Sequence, residues 1–172
     1  MSRQKDGAGV GHALEALVRH GKHANLIDGT KAVFDLNSLD GQNGFQLLGE
    51  GEFDGSGATI SSAGDVNGDG FGDVIVGAPS NYYADPKISG SSYVVFGKGS
   101  GFGAVVDLSG LDGSNGFRID GATAGDQSGY SISVAGDVNG DGFADILVGA
   151  PKADVVLPPL TKKSLDVGTA VL

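Results

Sequence analysis

Over most of this chain the apolar residues gather into short runs without a helical period. Val74-Ile-Val76 and Ile146-Leu-Val148 are unbroken aliphatic runs, residues 59–63 and 131–135 are rich in Ser and Thr and half apolar, and Phe45-Gln-Leu-Leu48 and Phe117-Arg-Ile119 each follow a turn signal. All of these predict strands. Ser92-Tyr-Val-Val-Phe96 is apolar at successive positions, so both of its faces are expected to be buried, as sheets stacked face to face require. Residues 12–20 read differently. Ala13, Leu14, Leu17 and Val18 recur at helical spacing and Gly21 stands where a C-terminal cap would, which predicts a short amphipathic helix.

The pattern repeats. The stretch Ala63-Gly-Asp-Val-Asn-Gly-Asp-Gly-Phe-Gly-Asp-Val-Ile-Val-Gly-Ala-Pro79 returns 72 residues later at 135–151, with 14 of 17 positions identical. The match extends upstream, where residues 35–45 and 107–117 agree at 8 of 11 positions. Asp40-Gly-Gln-Asn-Gly44 and Asp112-Gly-Ser-Asn-Gly116 are the turns that lead into strands. The expected organisation is a lead with the short helix at 1–27, one unit at 28–99, and a second at 100–172 whose end is altered after Pro151. Residues 168–172 are expected to form the outermost strand of that second unit.

Within each copy, oxygen-bearing side chains fall at alternate positions: Asp65, Asn67, Asp69 and then Asp73, and Asp137, Asn139, Asp141 and then Asp145. A hard cation such as calcium takes six to eight oxygens at about 2.3 to 2.6 Å. Loop positions 1, 3, 5 and 9 can supply four of them, and position 7, held by Phe71 and Phe143, offers its backbone carbonyl. Gly70 and Gly142 stand at position 6, where a residue without Cβ makes the sharp turn without strain. Three carboxylates so close repel one another without a counter-charge, so each loop is expected to hold one calcium ion, about two in all. Position 12, where a helix-loop-helix calcium site needs Glu, is Val76 or Val148; with strands on both flanks, this is a loop of a β-hairpin.

Asp-x-Asn-x-Asp-Gly-x-x-Asp, followed by an apolar strand and by Gly77-Ala78-Pro79 or Gly149-Ala150-Pro151, resembles the FG-GAP repeat, the blade unit of integrin α-chain β-propellers and of many bacterial surface proteins. The resemblance covers residues 28–151. Where the family has Phe-Gly ahead of the first ligand, this chain has Ser56-Gly57 and Ser128-Gly129. What the resemblance implies is an all-β fold, a partial propeller of about two blades. It implies a calcium-stabilised module for binding or adhesion, with protein or glycan partners met by loops at one rim.

The chain has 172 residues, 32 of them Gly, a net charge of −10 and no Cys. Gly without a three-residue period favours a turn-rich β chain and excludes collagen. The acidic balance, with no basic cluster beyond Lys162-Lys163, argues against a nucleic-acid partner. Without cysteine there is no disulfide framework and no thiolate nucleophile. Loops of this kind bind calcium weakly enough, at about 10⁻⁴ to 10⁻³ M, to be filled outside cells, which points to an extracellular or cell-surface location. The N-terminus shows no signal-peptide pattern and no stretch is long and apolar enough to span a membrane.

For catalysis the residues offer no positive argument. His12, His20 and His23 lie outside the repeats and complete no zinc set, no Gly-x-Ser-x-Gly elbow occurs, and the aspartates are best used as ligands. The chain is therefore expected not to be an enzyme. Two other readings stay open: a non-catalytic segment of a larger secreted hydrolase, and a structural repeat of a surface protein. Two blades do not close a ring, so self-association through exposed blade edges is also expected.

Overall fold

The structure is a computed structural model that describes residues 13–18, 35–79, 89–155, 165–166 and 169–171, with backbone alone for the first segment and for residues after 153. The lead at 1–11, the histidines and Gly21 lie outside the described residues, as do 80–88 and most of 156–168.

Among the described residues twelve strands follow one another: β1 (Ala13–Val18), β2 (Gly44–Leu48), β3 (Thr59–Gly64), β4 (Asp73–Ala78), β5 (Ser91–Val95), β6 (Val105–Asp107), β7 (Gly116–Asp120), β8 (Ser131–Gly136), β9 (Asp145–Ala150), β10 (Asp154–Val155), β11 (Leu165–Asp166) and β12 (Thr169–Val171). Three sheets carry the fold, in the orders β1-β2-β6, β3-β4-β5-β7 and β12-β9-β8, and β10 pairs with β11. Among the described strands all pairings are antiparallel except β2 with β6. The 72-residue repeat holds down to the turns. Gly41 donates its amide to the Gly44 carbonyl at 2.9 Å and Gly113 to that of Gly116 at 2.8 Å, and the 3-10 turns Leu36–Ser38 and Leu108–Gly110 are each capped by an Asp, Asp35 and Asp107.

The sheets stack through two cores. Phe45 and Leu47 of the first sheet pack with Val76, Ala78, Tyr93 and Val95 of the second, together with Leu108. On the other side of the second sheet, Ile75 and Val94 pack with Val148 of the third, joined by Phe117, Ile119, Ile132 and Ile146. β5 thus buries Tyr93 and Val95 to one side and Val94 to the other, the two-faced burial its unbroken apolar run predicts. The result is all-β, an open partial β-propeller whose described sheets do not close into a ring. Repeat and sheet are out of phase: the second sheet takes β3, β4 and β5 from residues 28–99 and its fourth strand, β7, from beyond residue 100.

One expectation fails. In the described part of the helix anticipated over residues 12–20, Ala13–Val18 is instead strand β1, antiparallel to β2. Leu14 pairs with Leu47 and Leu17 with Phe45, with a register shift between them. A three-residue step is set against a two-residue step, the one-residue excess of a β-bulge. The bulge is what lets a spacing that reads as helical serve as a strand. Pairing also satisfies the backbone groups on that edge of β2, beside the core, a tertiary demand that outweighs the weak helical preference of so short a segment.

Candidate metal centres and a cleft on the opposite rim

Residues 65–73 connect β3 to β4 and residues 137–145 connect β8 to β9, so both loops lie at the same rim. In the first, Asp65 accepts from the Asp69 amide with Oδ1 (3.0 Å) and from the Gly70 amide with Oδ2 (2.9 Å). Asn67 Oδ1 accepts from the Asp69 amide (3.1 Å), Asp69 Oδ1 from the Phe71 amide (2.8 Å), and Asp73 Oδ2 from the Val66 amide (2.8 Å). The second loop repeats all five bonds: Asp137 with the amides of Asp141 (3.1 Å) and Gly142 (2.9 Å), Asn139 with Asp141 (2.8 Å), Asp141 with Phe143 (2.9 Å), and Asp145 with Val138 (2.7 Å). Gly70 and Gly142 have φ of +86° and +93°, the left-handed region that position 6 demands, with open space where a Cβ would stand.

Each loop therefore brings its predicted oxygens into one short arc and orients them with neutral amide donors. It does not converge them: among the described residues, no three acidic or imidazole side chains gather about one point. In the first loop the Asn67 side-chain amide donates to Asp69 Oδ2 at 2.9 Å. The donor set nevertheless fits a hard divalent cation, because every donor is oxygen and each carboxylate oxygen held by one amide keeps further acceptor capacity. Asp73 differs from the others. It is 2% exposed, and its Oδ1 accepts from the Gly97 amide at 2.8 Å, so it also pins the loop to the end of β5.

At the other rim, where β4 ends and β5 begins, lies a cleft of about 620 Å³ whose lining includes Glu50, Asp54, Tyr93, Arg118 and Asp120. Arg118 reaches Glu50 at 2.6 Å and grips Asp120 with Nε and NH2, both at 2.8 Å. The Arg118 hydrogen bond, assisted by Ser91, holds the Asp120 carboxyl below the usual carboxylate range. Burial first, and the Glu50 charge second, push the Tyr93 phenol up. With Glu52 also in the lining, four carboxylates face one guanidinium, a field that favours a cationic group. No local motif marks this cleft, since Glu50 and Arg118 are 68 residues apart. The available signal is that Arg118 is the sole arginine in residues 28–172 and stands where the first unit has Gln46.

Mainly antiparallel sheets stacked face to face in a 72-residue repeat, with an acidic loop at the same hairpin of each unit, define a repeat protein of β-propeller type. Within that class the chain is an FG-GAP repeat protein, integrin-α-like in sequence: the FG-GAP repeat model matches residues 56–95 and 128–164. It is 33% identical over 143 residues to integrin alpha pat-2 of Caenorhabditis elegans, which covers 80% of this chain and 11% of that protein. It is 41% identical over 87 residues to integrin alpha-7 of Mus musculus, covering 51% and 6%, and 40% over 89 residues to integrin alpha-PS5 of Drosophila melanogaster, covering 52% and 8%. The chain thus spans about a tenth or less of the length of these relatives. Among the described residues no helix is long and apolar enough to cross a membrane.

Proposed function

We propose that the chain is a calcium-binding, non-catalytic β-propeller module that works outside the cell or at its surface, binding a protein or glycan. Each loop would hold one calcium ion: Asp65, Asn67, Asp69, the Phe71 carbonyl and Asp73 in the first, and Asp137, Asn139, Asp141, the Phe143 carbonyl and Asp145 in the second. The repeats proposed for this role are residues 28–99 and 100–172. The observation that carries the reading is the recurrence of the same five amide-to-oxygen bonds in two loops 72 residues apart. The similarity to integrin α-chains supports the adhesive and extracellular part. The acidic cleft on the rim away from the loops offers a place for a basic group of the partner.

Thermal unfolding in calcium, magnesium and chelator tests the metal half. At calcium one hundred times the dissociation constant, each site should add about 2.7 kcal/mol if the unfolded chain does not bind. Magnesium should add much less, because it insists on a tight octahedron and keeps its waters. Identical unfolding curves in millimolar calcium and in chelator would remove the metal assignment. The binding half is tested on arrays of extracellular proteins and glycans, with Arg118→Glu as the variant that alters the cleft. A hit whose affinity ignores that change places the ligand elsewhere.

A further inference from the structure

The two loops touch. Ala144, at position 8 of the second loop, donates its amide to the carbonyl of Asp65, position 1 of the first, at 3.1 Å. Beside it, ring carbons Cε1, Cδ1 and Cζ of Phe143 are the atoms nearest to where a Gly68 side chain would begin. Gly68 is at φ +74°, so the ring lies directly over the bare backbone of the first loop. The Ala144 methyl stands 2.6 Å from where a Cβ on Gly64 would be. Residues 143 and 144 are therefore clasped over residues 64–68. Phe71, at the matching place in the first loop, packs against Gly97 and Gly99 instead.

We propose that Phe143 and Ala144 couple the two loops, so that an ion held by one raises the affinity of the other. The proposal rests on reading both as calcium loops. Phe143 has two roles that meet in one residue: its carbonyl belongs to the second loop's oxygen set, and its ring covers the first loop's Gly68. Fixing the Phe143 backbone also fixes the next amide, which holds Asp65 by its carbonyl. Order gained at one loop then need not be gained again at the other, which is the entropic route to positive cooperativity. The coupling is reciprocal by linkage.

The test is a calcium titration of the isotope-labelled full chain, following the amide signals of Gly70 and Gly142 separately. With Asp141→Ala, the Gly70 midpoint should move to at least about five-fold higher calcium, the low end of typical couplings. Asp69→Ala should move the Gly142 midpoint by the same factor. Phe143→Ala keeps the backbone carbonyl and the Ala144 contacts and removes the ring; in that background, Asp141→Ala should move the Gly70 midpoint by less than half as much on a logarithmic scale. Phe143→Leu, which fills more of the space, should retain an intermediate shift and serves if the alanine variant does not fold. A Gly70 midpoint unmoved by Asp141→Ala in the otherwise native chain would overturn the coupling and leave the calcium reading standing. Coupling undiminished by Phe143→Ala would overturn the role of the ring. Signals that do not respond to calcium at all would overturn both the coupling and the reading beneath it.

Discussion

Ile75 and Leu147 occupy the same place in successive repeats, yet Ile75 is 0% exposed and Leu147 is 36% exposed. The sequence around them is nearly the same; what differs is the neighbour. Ile75 faces the third sheet through the core it shares with Val94 and Val148, whereas Leu147 points from the third sheet's other face, which no described sheet covers. Exposure in this fold is set by position in the stack more than by the residue.

The first prediction follows from that pair. Ile75→Ala should cost about 2–5 kcal/mol, the range for truncating a fully buried aliphatic side chain. Leu147→Ala should cost well under half as much, because it removes contacts on one side only. Denaturant unfolding of the two variants measures both, and equal losses would mean that the third sheet's outer face is covered. Leu147→Lys should also lower binding of an apolar dye.

Much of this was legible in the sequence because it is local, and Ile75 and Leu147, alike in sequence and unlike in exposure, mark where that legibility ends. The loops, the β3–β4 and β8–β9 hairpins and the turns at Gly41 and Gly113 depend on residues close in the chain, so spacing alone identifies them. β1 was not legible, because its pairing depends on a bulge set against Leu47 and Phe45 of a distant strand. The fourth strand of the second sheet comes from the following repeat, a choice of partner that periodicity does not state. The cleft is harder still, since Glu50, Tyr93 and Arg118 meet only once the first two sheets have stacked.

A second prediction separates glycines that turn the chain from glycines that admit a neighbour. Gly129 has φ of +86°, and a Cβ there would collide with the carbonyl oxygen of Ser91. Its own carbonyl accepts from Thr59 Oγ1 at 2.8 Å and lies against the Gly77 α-carbon. The glycine of Ser128-Gly129 thus meets the glycine of Gly77-Ala78-Pro79 at the junction of two units. Gly129→Ala carries both a backbone cost of about 1–2 kcal/mol and an overpacking cost of about 1–3 kcal/mol. Gly70→Ala, with nothing within 4 Å of the new methyl, carries the backbone cost alone. Chemical unfolding in chelator should place Gly129→Ala clearly below Gly70→Ala, and the reverse order would contradict the close approach at the junction.

Acid sensitivity gives the third prediction. Asp107 is held low by hydrogen bonds from the Ser109 hydroxyl (2.6 Å) and amide (2.9 Å). Asp112 is held low by the Ser114 hydroxyl (2.7 Å) and amide (2.9 Å), Asp40 by the amides of Asn43 and Gln42, and Asp120 by Arg118. In each case the folded carboxyl titrates below the ordinary value of 3.8, so the folded chain binds fewer protons than the unfolded one in that range. Their stabilisation is therefore fully present above the unfolded value and is lost as the pH falls through it toward the lower folded values. In chelator, to keep any metal out of the comparison, Tm should stay nearly level from about pH 6 to 5 and fall below about pH 4, close to the ordinary carboxylate value. Asp107→Asn and Asp112→Asn keep an oxygen acceptor for Ser109 and Ser114 but cannot titrate, so each should flatten part of that acid limb while leaving the chain folded at pH 6. An acid limb of the same steepness in both variants would show that these turn carboxylates do not set it.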